Sequence, residues 1–309
     1  MWLLTRLIKM RYQVALSAGL VVSAIGSAAA ANGASWSLQD AEPARLAISL
    51  SRSPASDLAD SGSLSMQEQH LVINLDRFAV GEALIGIGFD YAYTRFEFDR
   101  IPSRDRDLHR LQLPLSAEWS SGQWRWRTSI APGVATSSNV FKDLAERANS
   151  DDFLLTGYAR AQRTMRNGSL NFGVAHDRQF GRTRTYPTLA WLSSRERRWT
   201  WQIGFPETGA TYRVSDAQRL SFRLAPSGQV WHVSSDDFGS RFDYRSESWR
   251  ATAAWTMPVT DRWSLVWQVG RDLDRAQAFR DDNLTQVDST IDDAWVFGVS
   301  LRLDARAGS

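Results

Sequence analysis

The sequence predicts an all-β chain: a closed antiparallel transmembrane β-barrel of fourteen strands, with twelve as the alternative, behind an N-terminal signal peptide. Three observations predict it. Hydrophobicity alternates with a period of two in segment after segment, connections alternate long and short, and Trp collects at the ends of the apolar faces.

The first residues stand apart from this pattern. Met1 to Gln13 carries Arg6, Lys9 and Arg11, and Val14 to Ala31 is an apolar, small-residue run ending in "GSAAAAN". That order is a secretory signal with cleavage near Ala30 or Ala31, a single membrane anchor being the alternative. The chain therefore divides into a leader (1–31), a short N-terminal segment (32–42), the barrel (43–303) and a C-terminal tail (304–309). Losing the three leader cations takes 36 basic groups to 33 against 34 acidic ones, so the near-neutral mature chain gives no reason to expect nucleic acid as a partner. There is no cysteine, so an exported fold must hold without disulfides and thiol chemistry is excluded. Beyond the leader no run reaches ~18 apolar residues, which excludes spanning helices but not spanning strands.

From Pro43 onward each segment has one apolar and one polar or small face. Leu46, Ile48 and Leu50 share a face, as do Leu71, Ile73 and Leu75. In "EALIGIGFDYAYTRFEFDR" the face Ile85, Ile87, Phe89, Tyr91, Tyr93 opposes Gly86, Gly88, Asp90, Ala92, Thr94. Leu111, Leu113, Leu115 and Trp119 oppose Arg110, Gln112 and Glu118; Trp124, Trp126 and Ile130 oppose Arg125 and Arg127. Phe153 and Leu155 oppose Tyr158, Arg160 and Gln162, and Leu220, Phe222 and Leu224 oppose Arg223. Trp249, Ala251 and Trp255 oppose Arg250; Trp263, Leu265 and Trp267 oppose Gln268; Trp295, Phe297 and Leu301 oppose Gly298 and Arg302. Only "FKDLAER", Phe141 to Arg147, has a helical composition. The long connections fall on one side of the meander and the tight turns on the other, with both chain ends on the tight-turn side. Around Phe205-Pro206 the count depends on whether one long bent strand runs through the proline, which gives fourteen, or a pair of strands is lost, which gives twelve.

The stretch Tyr186 to Val233 has a Pro-led strand at Pro187, an aromatic strand ending at Pro206, an aromatic-basic strand at Tyr212 and "PSG" before Trp231. In these features it resembles an uncharacterised family of Gram-negative outer-membrane β-barrel proteins, known only as a domain of unknown function. The resemblance spans most of Leu84 to Leu303 and implies architecture and an outer-membrane location, with no activity, ligand or site. The chain departs from barrel habit in running past Leu303 with "DARAGS" instead of ending on an aromatic residue.

The chemistry-bearing residues are sparse. His70, His109, His176 and His232 show no ligand spacing, so no metal and no cofactor are expected. His232 and Ser234 share a face, the arrangement in which an imidazole activates a hydroxyl in a lipid hydrolase, but Trp231 and Val233 read as the lipid face and turn both inward. No catalytic residue is assigned. The inferred lumen lining is Asp90, Arg110, Glu118, Arg125, Arg127, Arg160, Arg223, Arg250 and Arg302. Those groups either give an anion-favouring pore or pair among themselves to fill a closed lumen. The aromatic girdle is Tyr91, Tyr93, Trp119, Trp124, Trp199, Trp249, Trp263 and Trp295. The expected function is non-enzymatic, a passive pore or an envelope or surface protein, with a lipid-modifying hydrolase and an exported soluble β-sandwich binding protein as alternatives. Expected partners are outer-membrane lipid and lipopolysaccharide, and the barrel-assembly machinery during biogenesis.

Overall fold

A computed structural model describes residues 44–59, 62–100, 105–193, 198–235, 240–280 and 286–304. The leader, the 32–42 segment and the tail beyond Asp304 lie outside them.

The strands are, in order, β1 (Leu46–Asp57), β2 (Ser63–Asn74), β3 (Phe78–Val80), β4 (Ala83–Asp99), β5 (Arg106–Gln112), β6 (Leu115–Ser121), β7 (Trp124–Ser137), β8 (Phe153–Met165) and β9 (Gly168–Asp177). There follow β10 (Arg184–Ser193), β11 (Trp199–Phe205), β12 (Thr208–Arg213), β13 (Arg219–Pro226), β14 (Gln229–Ser235), β15 (Ser240–Pro258), β16 (Trp263–Arg280), β17 (Gln286–Ile291) and β18 (Ala294–Leu303). Four staves are each written in two pieces (β2–β3, β5–β6, β13–β14 and β17–β18), so the 18 strands make a wall of 14 staves. Pro114 marks one such break: it has no N–H to give a ladder, and Leu113 N–H turns to Pro132 O instead. β1 pairs antiparallel with β18, Leu46 opposite Leu303, and the sheet closes on itself.

The period-two pattern is what makes these strands. Along β4 buried residues alternate with more exposed ones, so Gly88, Asp90, Ala92 and Thr94 point in while Phe89, Tyr91 and Tyr93 point out. Around the outside Ile130, Leu155, Val174, Leu189, Ile203, Phe222 and Phe297 all stand exposed, an apolar belt of the kind that meets lipid. No described helix is long and apolar enough to cross a membrane. Short helices Ser138–Phe141 and Leu144–Arg147 occupy the helical stretch read from the sequence. Two inward positions of the wall, Gly173 and Gly204, lie close against a neighbouring backbone. A Cβ on Gly173 would lie 2.2 Å from Ala159 O, and one on Gly204 2.2 Å from Leu189 O, so only glycine lets those backbones close in.

Two features depart from the sequence reading. Phe205-Pro206 is not inside a long bent strand: β11 stops at Phe205 and β12 starts at Thr208, so Pro206 and Glu207 form the tip of a short hairpin. Fourteen staves result because that hairpin supplies two of them. Trp231 and Val233 do not face lipid either; both are buried in a core inside the barrel.

That core has a topological cause. Beyond Val134, β7 runs out of partner, because β8 begins at Phe153 opposite it. β14 likewise has no β12 beside it, since the β11–β12 hairpin is too short. The two free edges meet, Thr136 pairing with His232 in parallel. At the loop end the wall thus contracts to a smaller ring of β14, β15, β16, β17, β1, β2, β4, β5 and β7, closed between β17 and β1 by a bridge from Leu58 to Ile291. Leu64, Phe96, Leu108, Trp231, Phe242, Tyr244 and Phe279 fill it.

Candidate functional site: a layered lumen and a notched wall

Three layers stack inside the barrel. Nearest the tight turns, Glu118 gathers three guanidinium groups: Arg127 at 2.7 Å, Arg77 at 3.1 Å and Arg125 at 3.6 Å. β6 and β7 place them, because Glu118 pairs with Arg127 across the ladder and their side chains share the inner face. By the turns Arg302 meets Asp304 at 4.0 Å; to the side, beneath the β11–β12 tip, Arg223 meets Glu207 at 3.0 Å, and Arg160 lies over the Tyr158 ring.

The middle layer is a buried polar network. Asp90 is 2.9 Å from His70 Nε2 and accepts from Arg110 at 3.1 Å. Arg250 donates through Nε and Nη2 to both oxygens of Asp272, at 2.5 and 2.8 Å, a bidentate pair almost free of solvent. Gln229 donates to Glu68, and Gln112 to Thr156 at 2.7 Å. Between Glu68, Thr94 and Arg250 only about 20 Å³ is left open, a water-sized space. Above this layer the ring core is dry, with Trp231 edge-on to Phe96 at 5.8 Å and Phe96 against Tyr244 at 5.1 Å.

The structure thus brings Asp90 and Arg110 together, and Glu118 with Arg125 and Arg127. It sets Arg160 with Arg223 and Glu207 in a side lobe, Arg250 in the middle layer and Arg302 at the turn end. Sequence reasoning missed Glu68, His70, Asp272 and Glu207 as members. Parity held a signal for Asp272, which falls on the face of Gln268 and Gly270. Trp119, Trp124, Trp199 and Trp263 sit at strand ends by the tight turns. Trp119 stacks on Trp126 at 6.3 Å and Trp199 against Tyr212 at 4.9 Å. Toward the loop end, Tyr91 OH bonds His109 Nδ1 at 2.8 Å and Tyr93 OH donates to Asp107 at 2.5 Å. Trp295, with Arg271 over its ring, and Trp249 lie at the same side of the belt.

No group of three or more metal-ligating side chains occurs among the described residues. His232 Nδ1 is 3.3 Å from Asp243, while its Nε2 and the buried Ser234 Oγ each lack a hydrogen-bond partner among the described residues, so imidazole and hydroxyl are not joined.

The short β11–β12 hairpin also notches the wall. β10 pairs with β11 only from Leu189 to Leu192, leaving Arg184 to Thr188 without a neighbour on that edge, opposite Ala225 and Pro226 of β13. The 178–183 loop fills the gap. Arg178 Nη1 donates to Val230 O at 3.1 Å, Gly228 N–H donates to Gln179 O at 2.7 Å, and Phe180 stands between Tyr186, Phe205 and Trp249 with ring centroids at 5.1, 5.9 and 6.1 Å. Below it the outer face carries an apolar groove of about 770 Å³, lined by Ala210, Ala251 and Ala253 between Trp201, Phe222 and Trp295.

A closed fourteen-stave barrel with an apolar belt outside and ion pairs within belongs to the class of membrane-spanning β-barrels. Residues 83–307 match the family described as Domain of unknown function (DUF6268), and the chain belongs to that family. No curated protein matches it. Among solved structures, the COG4313 outer membrane channel from Pseudomonas putida F1 is similar at 10% identity, covering 85% of this chain and 97% of that one with a TM-score of 0.46. A TodX monoaromatic hydrocarbon channel deltaS2 mutant is similar at 8% identity, over 85% of this chain and 91% of that one, TM-score 0.42. The beta domain of the Bordetella autotransporter BrkA is similar at 11% identity, over 84% and 100%, TM-score 0.35.

Proposed function

We propose that the protein is a gated channel of the Gram-negative outer membrane, shut at its outer end in the conformation described, with its long loops outside and its tight turns in the periplasm. One observation carries this reading: the loop-end ring is closed at the β7–β14 seam by a single parallel residue pair, Thr136 with His232. The neighbouring β5–β7 and β14–β15 ladders run for five and seven pairs. Beside this pair, β14 is held by Asn139 donating to Ser234 O at 2.7 Å, by Arg178, and by the packing of Trp231 and Val233 in the ring core. A seam so short is where local opening costs least. Parting it, with the ring core and the polar layer beneath moving aside, would connect the loop end with a turn-end lumen richer in Arg than in carboxylates, so the current should favour anions.

The absence of cysteine makes the test clean. Thr136→Cys with His232→Cys places two thiols across the seam, both side chains on the outside of the ring. In planar bilayers the wild-type chain and the reduced variant are expected to show discrete, anion-selective openings, and the oxidised variant to fall silent. Unchanged current after oxidation, or silence of the wild-type and reduced chains alike, overturns the gate and leaves a structural barrel.

A further inference from the structure

The seam leads along the barrel axis, but the notch leads sideways. From the positions of Phe180, the β11–β12 tip and the apolar groove, we infer a lateral port through the wall, closed by Phe180, that passes an amphiphile with one apolar chain and a polar head between the bilayer and the side lobe of the lumen. This goes beyond the axial gate and does not require the seam to open.

Phe180 touches residues from both sides of the wall. Tyr186 is buried on the inner face of β10, whereas Phe205 and Trp249 belong to the outer face. A ring in contact with both faces lies in the wall itself, in the place a backbone ladder would take. It is therefore a side-chain closure at a place where the described sheet has no ladder of hydrogen bonds. The loop backbone is anchored on both sides of Phe180, by Arg178 and Gln179 to β14 and its preceding turn and by Arg182 to Glu247 of β15 at 3.8 Å, while the Phe180 ring itself is held by its aromatic contacts and by Arg184 lying over it. Rotating one aromatic side chain breaks no ladder bond.

What lies on either side defines the cargo. Outside, the groove runs up to Thr208 and Leu224 just beneath the hairpin tip, and its lining is almost wholly apolar. An alkyl chain lies there at no desolvation cost. Inside, Thr188, Asn171, Gln202 and Glu207 are buried and polar, with Arg223 against Glu207. A purely apolar solute gains nothing on entering that lobe, and a purely polar one cannot cross the groove. An amphiphile matches the order of surfaces, tail in the groove and head through the notch.

The test uses the full chain folded into phosphatidylcholine vesicles, with Thr188→Cys as the sole thiol behind the port. Pyrene maleimide, an apolar ring system bearing a polar head, is dissolved in the bilayer; a sulfonated maleimide is supplied in water. Removing the ring with Phe180→Ala is expected to speed pyrene labelling about tenfold, with Phe180→Leu in between, and to leave sulfonated labelling unchanged. Heat-modifiable migration checks that each variant is folded. Equal acceleration of both probes would mean a general aqueous leak and would overturn the port, as would no change with either. Channel current through the seam is read separately, so loss of one proposal leaves the other standing.

Discussion

Arg250 and Asp272 show what a single buried pair contributes. Each has given up its hydration, and the bidentate contact returns it only while both are present. Asp272→Leu leaves the guanidinium uncompensated but for Glu68 and should cost about 3–5 kcal/mol, whereas Arg250→Met with Asp272→Leu should cost far less than the two single changes added together. Urea unfolding midpoints of the barrel in lipid vesicles measure both. At this scale the sequence was readable by parity: Arg250 and Asp90 fall on inner faces because their strand neighbours two residues away do. It was not readable for partners, since Asp90 and Arg110, or Arg223 and Glu207, come together only through register. Phe180 lies in a loop, where no period marks it.

At the scale of elements, alternation says which side chains share a face and nothing about what covers that face. In β14, Trp231 and Val233 do share one, yet it meets a protein core instead of lipid. The reason sits elsewhere in the chain, in a hairpin seven and six residues long per strand that leaves β14 without a neighbour. Pro206 signalled that hairpin, but a proline serves a turn as readily as a bulge. The two media separate on mutation. Trp231, 2% exposed, should lose about 3–5 kcal/mol on change to Ala, as truncation of a packed aromatic does. Trp295, 53% exposed on the belt, has Arg271 over its ring but no packed core around it, so Trp295→Ala should shift the same unfolding midpoint much less. Equal shifts would mean that the ring core is not packed.

Around the belt the wall inverts the usual rule of apolar inside and polar outside, and that inversion can be measured by depth. Leu189 projects from the middle of β10 at 55% exposure, while Val214, at 49%, lies just past the end of β12 by a tight turn. If water covered both, arginine at either place would be nearly neutral, since neither side chain is packed. If lipid covers the belt, Leu189→Arg brings a guanidinium to the hydrocarbon midplane and should cost about 2–4 kcal/mol, while Val214→Arg stays at the interface and should cost about 0–1 kcal/mol. An inward change such as Ser129→Arg avoids the hydrocarbon altogether and meets only crowding from Arg127 and its neighbours on the turn-end lumen. Reversible urea titration of the three variants in vesicles gives the ranking. A steep difference between Leu189 and Val214 places the belt in a bilayer; near-equal, small effects would return the chain to the exported soluble β-proteins, where the same alternation would have to be explained by a surface with no apolar partner.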